Sequence, residues 1–444
     1  MNQLTPQQLD AIGGRGNLLV VAGAGTGKTR TLVLRCLRLL SAERASLEDV
    51  LMVTFTEAAA AEMRARIRVE LRELQAAHPD DEHLAQQLAL LDAARICTLH
   101  SFCLQLAREH FHELGLDPQF SVLDAHQTRP LVRATLDELL ERCYTRDDAE
   151  ARAVQALIRA VGRGTDTRIR RLALKLHTYS QSLPDPAGWL DEQQRRFSQA
   201  DPVEWRQSFL QAVAAWRDEW KGPVSTFAGD APAVRLCLEA LEALPANPLP
   251  ADAARALRAV LEADNNDENW PVGAKGRGRD PIKAFFADAE FLGSLASDGT
   301  GDDPLARDWE WARSHMMALV SFTREFTAAF SRAKRELGGV DFADLEQCAL
   351  RLLRNPATVR EWRSRLAHVF VDEYQDINEA QDTIIAALSR DGAAANRFLV
   401  GDVKQSIYRF RLANPRIFGG YDAQWSGPDA GGRRIALTEN FRSR

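Results

Sequence analysis

Ala22-Gly23-Ala24-Gly25-Thr26-Gly27-Lys28-Thr29 is the stretch on which the reading of this chain turns. It follows the apolar run Leu18-Leu19-Val20-Val21 and opens an amphipathic segment from Arg30 to Leu40. Strand, glycine-rich turn and helix are the context a phosphate-binding loop requires. Glycines let the backbone curl so that successive N–H groups converge on one anion, and the new helix adds the positive end of its dipole. Lys28 supplies a full charge for the β- and γ-phosphates of ATP, and the Thr29 hydroxyl can ligate Mg²⁺. The pattern G-x-x-x-x-G-K-[ST] departs at its first position, where Ala22 replaces glycine; Gly25, Gly27, Lys28 and Thr29 keep it. An ordinary strand–helix turn has no use for Lys-Thr after Gly-x-Gly, a pair that serves no turn geometry.

Working outward, a phosphate loop needs an acidic partner. Arg365–Val371 reads as a buried strand ending in Asp372-Glu373-Tyr374-Gln375-Asp376. Asp372 can hold Mg²⁺ opposite Thr29, and Glu373 can orient and deprotonate an attacking water. An acidic pair at a strand end is common on surfaces; beside a Gly-Lys-Thr loop it becomes specific. Other apolar runs end in polar turns in the same way. Val50–Val53 leads into Thr54-Phe55-Thr56, and a short strand from Ala94 leads into Thr98-Leu99-His100-Ser101. Arg397–Val400 leads into Gly401-Asp402-Val403-Lys404-Gln405, and Ile435–Leu437 into Thr438-Glu439-Asn440-Phe441-Arg442. Strands alternating with helices predict an α/β fold with a mostly parallel, doubly wound sheet and functional loops at strand carboxyl ends. Gln405 can sense the γ-phosphate, and Arg442 can neutralise developing phosphoryl charge. Thr98, His100 and Ser101 are donors that can hold a nucleic-acid backbone, although a lone histidine is more often structural. Gln8 follows a capped helix start, Thr5-Pro6; its amide can read an adenine edge, but by itself it is better read as solvated.

Composition sets the outer bounds. The chain has 444 residues, enough for two or three domains. No apolar run is long enough to span a bilayer, so no membrane role is expected. Met1-Asn2-Gln3-Leu4 lacks the basic and apolar regions of a signal peptide, which makes a cytoplasmic location the expectation. Six scattered cysteines fit reduced thiols; Cys97 and Cys103 flank His100, but no second cluster completes a zinc site. A net charge of −6 argues against nucleic-acid binding over the whole surface, not against a local basic groove. From about Asp124 to about Ala333 the pattern is helical and tryptophan-rich, with exposed loops near Asp264–Arg279 and Ser297–Pro304. A basic stretch from Gly162 to Arg171 reads as a solvated face in preference to a DNA contact, and the chemistry of this region is not legible.

Taken in order, these motifs resemble the superfamily 1 DNA helicases of the UvrD/Rep type. The resemblance rests on Gln8 in Leu-Thr-Pro-Gln-Gln, the Ala22–Thr29 loop, Thr54-Phe55-Thr56 with Ala59-Ala60 and Glu62-Met63, and Thr98–Phe102. It continues through Val371–Asp376, Val400–Arg411 and Glu439–Ser443. Val403-Lys-Gln-Ser-Ile-Tyr-Arg-Phe-Arg-Leu-Ala413, with Pro415 and Phe418, is most similar to the AddA branch, the helicase-nuclease subunits of AddAB break-repair enzymes. The resemblance is strong before about Phe111 and after about Val340 and weak between.

The resemblance implies a RecA-like P-loop NTPase domain with a parallel sheet, in two parts at 1–115 and 336–444, interrupted by a large all-α accessory domain at 116–335. It implies an ATP- and Mg²⁺-dependent 3′-to-5′ DNA helicase that works on single- and double-stranded DNA ends and pairs with an AddB-like subunit. In its terms Lys28, Glu373, Gln405 and Arg442 are catalytic, and Thr29 and Asp372 hold the metal. Gln8, Ala22, Gly23, Ala24, Gly25, Thr26, Gly27, Lys28, Thr29, Arg30 and Phe441 bind the nucleotide. Gln405 couples nucleotide state to the DNA track, which is lined by Phe55, Thr98, His100, Tyr408, Phe410 and Arg411. The family's second RecA-like domain and any nuclease domain fall outside these 444 residues. The chain is therefore expected to be a fragment of a larger protein or a truncated gene product, with very weak or no ATP turnover by itself. Two alternatives stay open: a UvrD-like repair helicase without a nuclease, and a catalytically incomplete DNA-binding module.

Overall fold

The computed structural model describes residues 4–229, 231–297, 299, 301–406, 412–427 and 431–441. In chain order the strands are β1 (Leu18–Ala22), β2 (Val50–Thr54), β3 (Arg95–Thr98), β4 (Ser121–Val122), β5 (Gly339–Val340), β6 (His368–Val371), β7 (Arg397–Gly401) and β8 (Arg433–Leu437). Six of them form one sheet in the order β3-β2-β6-β7-β1-β8, and every pairing in it is parallel. β4 and β5 make a separate parallel pair.

The expected strand positions follow from burial on both faces. Leu18 and Val20 of β1, Val50 and Met52 of β2, Phe370 of β6 and Phe398 and Val400 of β7 share one core. Their neighbours Leu19, Leu51, Val53, Val369, Val371 and Leu399 share the other. Side chains alternate across a strand, so a continuous apolar run is what a doubly covered strand needs. Helices α2 (Lys28–Ser41) and α3 (Glu57–Ala77) cover the first face. In α3, Ala60, Met63, Ile67 and Leu71 are buried, at the 3–4-residue spacing expected of one helical face. The second face is covered by the helix Leu99–Glu109 and by the helices Phe342–Leu353 and Glu379–Leu388. Helix α1 (Pro6–Gly13) has the Thr5 cap and first-position proline read from the sequence, and Gln8 completes its capping box.

The chain divides into two compact units. One contains residues 1–146, 167–191 and 322–444 and carries the sheet; the other contains residues 147–166 and 192–321. Among the described residues, every regular element between β4 and β5 is helical. Not all of this helical stretch belongs to the second unit, however: residues 116–146, 167–191 and 322–335 cluster with the sheet. The reason lies in side-chain packing. His177 Nδ1 pairs with Thr327 Oγ1 at 2.9 Å, and its ring meets Phe326 and Phe330 edge-on at 5.2 and 5.8 Å. Gln347, on the helix Phe342–Leu353, donates to the carbonyls of Gln181 and Leu183, both at 2.9 Å. The second unit has its own aromatic core, in which Trp216 stacks flat on Phe285 at 5.1 Å.

Burial, with a smaller push from Lys334 and an opposing one from Asp341, lowers the His177 imidazole to about 4. The unfolded chain takes up this proton near pH 6.5, whereas the folded chain resists it. The stability is therefore complete above pH 6.5 and declines as pH falls towards 4. Between pH 7 and pH 5 the wild type should lose about 2 kcal/mol more than His177→Phe. Urea unfolding at the two pH values measures this, and parallel losses in both proteins would refute it.

Candidate functional site

β1 ends at Ala22, and the chain turns through Gly23–Gly27 into α2. Gly25 and Gly27 have φ of 79° and 84°, the left-handed region that a side chain disfavours. A Cβ on Gly27 would also lie 3.0 Å from Gln8 Nε2. The loop closes on itself through Thr26 Oγ1, which donates to the Gly23 carbonyl at 2.8 Å. Lys28 and Thr29 are the first two helical residues, so their N–H groups belong to the orphan set at a helix start.

The Lys28 ammonium meets residues from two other strand ends. It donates to Glu373 Oε2 at 2.7 Å and to Gln405 Oε1 at 3.3 Å. Glu373 follows β6 and Gln405 follows β7, so three loops distant in sequence converge at the carboxyl edge of the sheet. This is where an open α/β sheet places its ligand. Glu373 has a φ of 51°, uncommon for a residue with a side chain and worth on the order of 1 kcal/mol of strain. Its N–H donates to Asp372 Oδ1 at 3.0 Å. Gln375 completes the frame: its Nε2 donates to Glu373 Oε2 at 2.9 Å and to Asp376 Oδ2 at 3.0 Å, and its Oε1 accepts from Asp402 N at 2.9 Å. Asp402 Oδ2 accepts in turn from Gln405 Nε2 at 2.6 Å. Gln375 and Asp402 appear in the sequence only as letters within motifs; their service to Glu373 and Gln405 is visible only in space.

Asp372 is buried, and desolvation together with the neighbouring Glu373 raises its carboxyl to about 6. A buried carboxylate of this kind favours a cation beside it. Thr29 and Asp372 are hard oxygen donors, which suits Mg²⁺, an ion that keeps several waters and takes one or two carboxylates plus substrate phosphate. Among the described residues no group of three or more His, Cys, Asp or Glu is gathered for a metal.

Gln8 lies beneath the loop, 2% exposed. Its Oε1 accepts from Thr5 N at 3.0 Å and its Nε2 donates to the Thr26 carbonyl at 3.1 Å. The simple solvated reading of Gln8 is thus corrected, because the amide is occupied in holding the loop to α1. Phe441 N donates to the Gly25 carbonyl at 2.9 Å, which brings the residues after β8 to the same loop. Arg30 is exposed on the first turn of α2. Arg442, Tyr408, Phe410 and Arg411 lie outside the described residues.

Phe55, Thr98 and His100 line one cleft of about 270 Å³, which also reaches Asp372, Glu373 and Asp376. Two hydroxyls expected to face a phosphate backbone are otherwise occupied: Thr98 Oγ1 and Ser101 Oγ both donate to Glu57 Oε1, at 2.8 and 2.6 Å. These bonds hold the Glu57 carboxyl below its usual range. His100 Nε2 is 3.0 Å from Glu346 Oε1, and Phe342 meets the His100 ring edge-on at 5.0 Å while remaining half exposed. Phe342 escapes the sequence reading; its signal is a large aromatic just after the Asp341 cap, at a helix start where solvent is near.

With this geometry in hand, comparison with known proteins is direct. The family model for the UvrD/REP helicase N-terminal domain matches residues 4–228 and 293–424. Relatives named as subunits of an ATP-dependent helicase/nuclease match nearly all of the chain. The one from Moorella thermoacetica is 38% identical over 99% of this chain and 34% of its own length. Those from Syntrophomonas wolfei and Bacillus cereus are 34% and 33% identical over 100% of this chain and 37% and 38% of their own lengths. The chain belongs to the UvrD/REP helicase N-terminal domain family. It spans little more than a third of the length of these curated relatives. No helix among the described residues is long and apolar enough to cross a membrane.

Proposed function

We propose that this chain is the ATP-binding portion of a 3′-to-5′ single-stranded DNA translocase and helicase. It would act at DNA ends in double-strand-break repair, as the helicase-nuclease subunit of an AddAB- or RecBCD-like complex with an AddB-like partner, in the cytoplasm. The observation that carries the reading is Lys28 held 2.7 Å from Glu373 and 3.3 Å from Gln405 at converging strand ends. The parallel sheet supports a RecA-like core, and the helical stretch between β4 and β5 supports an accessory insertion. The relatives' names support the nuclease association.

In this reading Lys28 leaves Glu373 to bind the β- and γ-phosphates of ATP, and Gly25 and Gly27 let the loop backbone curl around them. Thr29 and Asp372 would hold Mg²⁺, and its charge would neutralise the phosphate oxygens. Glu373, released from Lys28 and still fixed by Gln375, orients water and takes its proton. Gln405 reports the γ-phosphate position, and Arg442 neutralises charge that develops on it. Phe441 stacks on the adenine, with Arg30 beside it and the remaining Gln8 amide hydrogen at its edge. Phe55, Thr98, His100, Tyr408, Phe410 and Arg411 form the track for single-stranded DNA, where stacking needs no base identity. The test is ATP hydrolysis by a helicase that carries this chain, with and without single-stranded DNA. Turnover indifferent to DNA would sink the reading.

Glu57 refines it. Its carboxylate occupies the hydroxyls of Thr98 and Ser101 and repels phosphate. Glu57→Gln should tighten oligothymidylate binding about threefold at low salt, with a smaller gain at high salt. Weaker binding, or a gain independent of salt, would show that Glu57 does not face the DNA.

A further inference from the structure

Glu346 stands outside every motif of the nucleotide loop, on the helix Phe342–Leu353, and its side chain is only 5% exposed. Three donors converge on it. His100 Nε2 is 3.0 Å from its Oε1, Gln381 Nε2 donates to Oε1 at 2.6 Å, and Asn378 Nδ2 donates to Oε2 at 3.3 Å. A buried carboxylate is costly unless its lone pairs are filled, and an apolar residue would serve mere packing at least as well. The identity of the donors gives the carboxylate a purpose.

His100 lies in the first turn of the helix Leu99–Glu109, beside the Thr98 cap, and lines the cleft that holds Phe55. Asn378 and Gln381 form the reciprocal capping box of the helix Glu379–Leu388. Asn378 Oδ1 accepts from Gln381 N at 2.8 Å, and Gln381 Oε1 accepts from Asn378 N at 3.2 Å. Their oxygens are thus committed to the cap, and each directs its amide nitrogen at Glu346. This helix start is continuous with the Asp372–Asp376 turn. On another side Asn414 N donates to the Ile377 carbonyl at 2.9 Å, and Asn414 Nδ2 to Glu379 Oε1 at 3.1 Å. One helix start therefore receives the acidic turn, the chain that follows Gln405, and, through Glu346, the histidine of the cleft.

We propose that Glu346 is a positioning residue that holds His100 in place for single-stranded DNA and, through Asn378 and Gln381, ties that contact to the Asp372–Glu373 turn. This inference rests on the DNA-binding reading above. A networked role is distinguishable from a structural one by a double-mutant cycle, since residues that act through one another are non-additive.

The experiment measures binding of a fluorescein-labelled oligothymidylate to the chain, with thermal unfolding as a fold check, for wild type, His100→Ala, Glu346→Gln and the double variant. Glu346→Gln should weaken binding about fivefold, the net worth of one ordinary hydrogen bond, and the double variant should be no weaker than His100→Ala alone. Strictly additive losses, or unchanged binding with a lowered melting temperature, would overturn the proposal. No oligothymidylate binding by the wild type would instead sink the functional reading, and this inference with it. Gln381→Ala offers a second route if Glu346→Gln does not fold, because it leaves His100 and Glu346 paired. It should keep DNA affinity without nucleotide and lose the change in affinity that a non-hydrolysable ATP analogue with Mg²⁺ produces in the wild type. A wild-type nucleotide response in Gln381→Ala would overturn the tie to the acidic turn.

Discussion

Replacing Lys28 with alanine is expected to weaken ATP binding by about a hundredfold or more, the worth of a buried charged contact to phosphate. The side chain is 10% exposed and sits between Glu373 and Gln405, so its charge acts in a site poor in water. Its removal leaves the fold nearly intact. Glu373 is 36% exposed and can be solvated when its partner is gone, which limits the stability lost to under about 1 kcal/mol. Affinity and stability should therefore separate: titration with a fluorescent ATP analogue in Mg²⁺ collapses while the melting temperature holds. Lys28→Arg should fail nearly as badly, because a planar guanidinium does not replace a point charge fitted between two side chains. Nucleotide affinity within about threefold of wild type in Lys28→Ala would remove the loop from the site, since one charged contact is worth more than that.

The residues of this site whose own motif carries chemistry are legible in the sequence, and the side-chain pairings that support them are not. Gly25, Gly27, Lys28 and Thr29 announce themselves because one turn must supply the curled backbone, the charge and the hydroxyl together. The strands are legible because both faces of the sheet are covered, which forces short, fully apolar runs such as Leu18–Val21 and Val50–Val53. Helical periodicity shows that a face is buried, but not against what. That is why the region from Asp124 to Ala333 reads as one insertion, although His177 packs on Thr327 and Phe326 within the sheet-bearing unit. Gln8 is a similar case: Thr5-x-x-Gln8 has the spacing of a capping box, but nothing in it reveals that the amide nitrogen reaches the Thr26 carbonyl. Glu57, Glu346 and Gln375 each act on a residue that the sequence does single out, and from 2 to 246 positions away their pairings leave no periodic trace. The left-handed backbone at Glu373 is hidden for a different reason, since glycine is the residue that signals positive φ and here the position must carry a carboxylate.

Glu373→Gln should show the opposite pattern to Lys28→Ala, with turnover lost and nucleotide affinity kept. An amide has almost the shape of the carboxylate but cannot take a proton from water, and loss of a positioned base costs about 10²- to 10⁴-fold. Binding should survive because Lys28, Thr29 and the loop are untouched and one negative charge near the triphosphate is gone. The same change acts on Asp372, whose carboxyl is raised chiefly by burial and next by the charge of Glu373. With that charge removed Asp372 ionises more readily, which favours Mg²⁺ and tightens the nucleotide complex. The fold should be mildly weakened. Glu373 Oε2 accepts from both Lys28 and Gln375, and a neutral glutamine oxygen in its place keeps both bonds but loses the charge that strengthens the one from Lys28. A helicase that carries the substitution should therefore bind ATP and single-stranded DNA yet stall before hydrolysis. Steady-state turnover and analogue titration on the same preparation separate the two effects. Turnover within about tenfold of wild type would mean that another group takes the proton, because a positioned base is worth more than that. The strained backbone at residue 373 would then serve only to hold Lys28 while the phosphates are away.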